Sequence, residues 1–112
     1  MHGLVPTTEM ALENIELAET FLRLEKAGDP GMAAMAAKAG PDKWSEFIAA
    51  NEGVLQAAQT WPPAPGQPVP SELWESIRVQ DLKLGRTGCM KMILIHPAIS
   101  PMIDRESLVS WT

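Results

Sequence analysis

A chain of 112 residues has room for one domain of ordinary size, long enough to bury a core without staples. Its 46% hydrophobic and 21% charged residues are a globular composition and exclude a disordered segment. The formal net charge of -5 argues against bulk attraction to nucleic acid or anionic lipid, and the single Cys89 excludes an internal disulfide. Met1 to Pro6 lacks the basic and apolar regions of a signal peptide, and no apolar run approaches a membrane span. The expected compartment is therefore the cytoplasm. Charge is spread unevenly: residues 1–56 hold nine acids and four bases, whereas residues 57–112 hold five of each. Within the latter half, Arg78, Lys83, Arg86 and Lys91 are interrupted by one acid, Asp81, which marks a local basic segment.

Residues 1–6 read as a flexible start. Thr7 or Thr8 caps a first helix, in which Met10, Ala11, Ile15, Leu17, Ala18, Phe21, Leu22 and Leu24 recur at three- and four-residue spacing. Gly28 ends it, and Asp29-Pro30 caps and opens a short second helix running to Gly40. Pro41-Asp42 opens a third, with Trp44, Phe47, Ile48, Leu55 and Ala58 on one face and an end near Thr60. Residues 61–70 carry five prolines, which rules out a helix or a central strand and predicts a stiff extended loop inside the domain. Ser71 is placed to cap a fourth helix carrying Leu73, Trp74 and Ile77. Beyond it, residues 77–88 leave helix and strand both open, with a short hairpin across 79–88 as one outcome. Cys89 to Ile95 is apolar nearly all round, so it is a buried helix or a buried strand, ended by Pro97. Ser100 and Asp104 offer caps for last helical turns whose apolar positions are Ile103, Leu108 and Trp111. The expected fold is a mainly α, compact single domain over 1–112, of about five to six helices.

Catalytic constellations are sparse. His2 and His96 have no evident partner, and Cys89 reads more simply as a small buried hydrophobe than as a reactive thiol. Glu13, Glu16 and Glu19 recur every three residues, but without histidine companions they form a solvated helix face. Neither a CxxC or HExxH metal pattern nor a glycine-rich phosphate loop occurs. The expectation is a non-catalytic, partner-binding chain with no cofactor and no metal. Trp44 and Trp74 sit on helical apolar faces, whereas Trp61, beside the prolines, is either an exposed anchor or a pin for the loop.

The order of these elements resembles the C-terminal nucleocapsid-binding domain of the rhabdovirus phosphoprotein. The residues that carry the resemblance are Leu17-Ala18-Glu19-Thr20-Phe21 in the opening helix and Trp44-Ser45-Glu46-Phe47 through Val54-Leu55 in the middle one. Cys89 at the head of an apolar helix and Ile103-Asp104-Arg105-Glu106-Ser107-Leu108 near the end complete it. The resemblance implies attachment of a viral RNA polymerase to its template, in the host cytoplasm, by binding the nucleoprotein–RNA complex. The polymerase itself would be reached through other parts of a longer chain, with no direct nucleic-acid contact. The implied basic patch falls on Arg23 and Lys26, with Arg86 and Lys91 as further members. The family's next basic position is Gly88 here, and the tryptophan of its exposed hydrophobic hole is replaced by Ile93. The candidate apolar contacts are Ile93, at that aligned position, and Trp61, from its place beside the prolines. The alternative is a small bacterial or phage helical adaptor, or a toxin-neutralising protein, using an apolar groove near the proline loop.

Overall fold

In the computed structural model, residues 8–61 and 68–103 are described. They form helices α1 (Thr8–Ala27), α2 (Pro30–Ala39), α3 (Pro41–Ala58), α4 (Ser71–Arg86) and α5 (Met90–Ile95), followed by one 3-10 turn, Ser100–Met102. The expectations for residues 1–7 and for Leu108 and Trp111 lie outside the described residues.

Local chemistry accounts for most boundaries. Gly28, at φ 72°, takes the left-handed conformation that ends α1. One residue on, the Asp29 carboxylate accepts the Met32 N–H at 3.0 Å and so caps α2, whose first residue is Pro30. At α4 the expected cap is displaced by one residue. Pro70 is the capping residue, and its carbonyl accepts the N–H groups of Leu73 and Trp74 at 3.1 and 3.2 Å, whereas Ser71 lies inside the helix.

Helices α1, α3 and α4 form the body. Trp44 at the start of α3 donates to Glu25 near the end of α1, and Lys83 near the end of α4 pairs with Glu46 near the start of α3. Therefore α3 runs antiparallel to both α1 and α4. Two groups of buried side chains fill the interior. One contains Leu17, Phe21, Met32, Met35, Trp44, Phe47, Leu84, Cys89, Ile93 and Ile99. The other contains Ala11, Ala18, Val54, Ala57, Trp61, Leu73 and Ile77. The result is a compact mainly-α domain, with five α-helices among the described residues.

The hairpin left open across 79–88 is not formed: no strand occurs among the described residues, and α4 continues to Arg86. The reason is Gln80. Leu73, Ile77, Gln80 and Leu84 are the buried positions of α4, spaced four, three and four apart, so a glutamine occupies one place in an unbroken helical stripe. The Cys89 segment is likewise helical. It is less buried than its composition suggests, because Ile95 is 80% exposed.

Candidate functional site: a groove across the third and fourth helices

The four predicted basic residues are all exposed, toward the end of α1 (Arg23, with Lys26 in the last turn), at the end of α4 (Arg86) and in α5 (Lys91). Arg23 and Lys26 are three residues apart and share a helix face. The Glu46 carboxyl is held below the usual carboxylate range by the hydrogen bond and charge of Lys83, with the charge of Arg86 as a smaller contribution. The two apolar candidates are placed differently. Trp61 is 5% exposed and Ile93 is 1% exposed, so both are core side chains and neither offers a surface contact. Trp61 pins the start of the proline loop into the second core group. Its indole N–H has no hydrogen-bond partner among the described residues.

His96 does have a partner, contrary to expectation. The Ala98 N–H donates to its Nδ1 at 3.1 Å, which leaves the proton on Nε2, and Nε2 donates to Asp29 Oδ2 at 2.8 Å. Hydrogen bonding from His96 first, and from the Met32 N–H second, holds the Asp29 carboxyl below its ordinary value. Gly31 makes this approach possible, since a Cβ there would lie 2.6 Å from His96 Cδ2. Both ring nitrogens are thereby engaged, and the buried ring ties the end of α5 to the start of α2. The Cys89 thiol is also buried and donates to the Met35 carbonyl at 3.3 Å. Among the described residues no three metal-ligating side chains cluster. No helix among them is long and apolar enough to cross a membrane.

The open concave surface lies elsewhere. Between α3 and α4 runs a groove of about 450 Å³, with Ala49, Ala50, Gly53 and Val79 along it and Glu46, Glu75, Ser76 and Lys83 at its edges. A second, more polar depression of about 610 Å³ adjoins it across Ala49 and Gly53 and reaches Leu22 of α1. Lys83 Nζ meets Glu46 Oε1 at 2.6 Å at one end. That hydrogen bond, then its charge, lowers the Glu46 carboxyl. Val79 in the groove is an exposed apolar residue, as is Leu82 elsewhere on α4, at 59%.

Gly53 is the residue that keeps the groove open. It sits in the interior of an eighteen-residue helix, where glycine is unfavourable by about 0.5–1 kcal/mol relative to alanine. Its backbone is not left-handed, and a Cβ built on it meets nothing within 4 Å. Neither conformation nor close packing therefore explains the glycine. Its visible consequence is a low point on the outer face of α3. Sequence reasoning passed over Gly53 because periodicity tracks apolar side chains, and the groove is made from their absence. The signal that was present is a glycine flanked on both sides by good helical sequence.

Fold and site together define a small helical domain with an open, small-residue groove between two of its helices. No family model, no curated protein and no solved structure matches the chain. That finding overturns the rhabdovirus resemblance, and with it the viral, phosphoprotein, nucleocapsid-binding and RNA-replication assignments. The structure supplies the physical reason. Leu17, Ala18, Thr20 and Phe21, which carried the resemblance, are all buried positions of α1, as are Trp44, Phe47 and Val54 of α3. Aliphatic, small and aromatic residues at such spacing are what any packed amphipathic helix needs.

Proposed function

We propose that this chain is a non-catalytic protein-binding domain, acting in the cytoplasm, that receives a helix of its partner in the groove between α3 and α4. The observation that carries the reading is Gly53, a helix-interior glycine with open space beyond it, at the low point of a groove lined by Ala49, Ala50 and Val79. Small residues let a second helix backbone come close, and an amphipathic helix laid in a groove is a recurring mode of recognition. The saturated hydrogen bonding of His96 and the enclosed thiol of Cys89 support a binding role over a chemical one, since neither side chain lines the groove.

The test is Gly53→Leu. Leucine is a better helix former and its Cβ has room, so the folded domain is retained or slightly stabilised. A photo-crosslinker placed at Val79 captures the partner with the native chain and loses it with Gly53→Leu, while helical circular dichroism is unchanged. Capture that survives the filled groove sinks the reading.

A further inference from the structure

We infer that the occupant of this groove is a cationic amphipathic helix, with small apolar residues toward Gly53 and lysine or arginine along its flanks; the inference rests on the groove being the binding site. The charged side chains bordering the groove and the depression beside it are Glu46, Glu52, Glu75 and Lys83. Lys83 is taken up by Glu46 at 2.6 Å, and Arg86 lies near that same carboxylate, so this end is internally neutralised. The other two acids are not. Glu52 has no ion pair among the described residues, and Glu75 has only Arg78 at 3.6 Å. The side chains of that pair are 77% and 67% exposed, a geometry that water and salt readily screen.

Glu52 borders the depression on the α1 side of Gly53, and Glu75 borders the groove on the α4 side. A helix lying over Gly53 therefore passes between two carboxylates with little internal compensation. The long-range field has the same sign, because the chain carries a net charge of -5. The rim also discriminates among occupants. Phosphate backbones and anionic lipid surfaces meet acids where they need bases. A second copy of this chain, docked through the same face, brings Glu52 and Glu75 against their own counterparts. The floor of Ala49, Ala50, Gly53 and Val79 supplies the apolar contact, and the acids select the partner and speed its arrival.

The experiment uses the full chain, isotopically labelled, and three synthetic helical peptides of about 18 residues, enough for five turns. All three share an alanine–leucine face; the flanks are lysine in one, glutamine in the second and glutamate in the third. The lysine peptide is expected to shift the amide resonances of Ala49, Gly53 and Val79, with affinity falling as salt rises. The joint variant Glu52→Gln, Glu75→Gln weakens it about tenfold, and the glutamate peptide does not bind. Equal binding of lysine and glutamate peptides overturns the inference. So does a lysine peptide whose shifts fall on the Glu13, Glu16 and Glu19 face. Should the glutamine peptide bind best, at the groove and sensitive to Gly53→Leu, the groove stands as the site and its cationic preference falls. If none of the three peptides reaches the groove, both fall.

Discussion

The two buried groups of this domain are built on opposite plans. Around the junction of α1, α2, α3 and α5, large side chains interlock. The Phe21 and Phe47 rings meet edge to face at 4.9 Å between centroids, and Trp44 lies 5.4 Å from Phe47. Toward the proline loop, Ala11, Ala18, Ala57 and Val54 bring the helices together, with Leu73, Ile77 and Trp61 as the larger side chains packed among them. Between them lies an amide layer. Asn14 donates to Gln80 at 2.9 Å, Gln80 donates to Asn51 at 2.8 Å, and Asn51 donates to the Phe47 carbonyl at 2.8 Å. The difference teaches where each region is vulnerable. One end depends on volume that must be present, the other on volume that must be absent.

The largest expected effects test that contrast. Phe47→Ala removes a side chain that is 1% exposed and touches both aromatic neighbours, and it lowers unfolding free energy by about 3–5 kcal/mol. At the alanine-rich end the damaging change is an addition. Ala18→Leu, at a position with no exposed surface, overpacks the α1 contact and costs about 1–3 kcal/mol. Urea unfolding of both variants checks the pair. If Ala18→Leu is neutral, the second group holds slack space and the contrast dissolves.

Next in size is the amide layer. Gln80 has no exposed surface and bonds to Asn14 and Asn51 through both ends of its amide. Gln80→Leu keeps the bulk and adds apolar surface. It strands the Asn51 side-chain oxygen, however, and an unsatisfied buried group costs about 1–3 kcal/mol. Hydrogen-exchange protection should fall most in α3 near Asn51, where the freed amide borders the helix backbone. A variant as stable as the native chain would mean that the layer contributes nothing net.

How much of this was legible follows from which groups carry the signal. Helices α1 and α2 were legible because their ends are marked by Gly28 and by Asp29-Pro30, local devices that work within a few residues. The helical course of 79–88 was not, because Gln80 occupies a core position, and a polar residue in the stripe hides its period. Its burial depends on Asn14, sixty-six residues away, a partner no local pattern announces. Among the basic residues between 78 and 91, Lys83 meets Glu46 across thirty-seven positions, a pairing that no local pattern announces. Trp61 was left between anchor and pin, and only the neighbours supplied by α3 and α4 decide for the pin. Gly53, at the low point of the groove, showed in the sequence only as a glycine within helical surroundings, because the open space beside it is a property of α3 and α4 together.

The smallest expected effect concerns the latch that closes the large-residue end. Asp29 joins two elements through one carboxylate, accepting from Met32 at the start of α2 and from His96 at the end of α5. Asp29→Asn separates its two roles, since asparagine caps a helix about as well as aspartate but brings no charge to His96. The Asp29 carboxyl is held below its ordinary value of 3.8 in the folded state. It therefore contributes stability at pH values above that ordinary value, and the contribution is lost as pH falls through the lowered folded one. At pH 7 the native chain should unfold at a higher urea concentration than Asp29→Asn. Near the acid end of the window, where both folded and unfolded carboxyls are protonated, the two midpoints should converge. A gap of the same size at both extremes would show that the carboxylate charge contributes nothing, and that geometry alone holds α5 against α2.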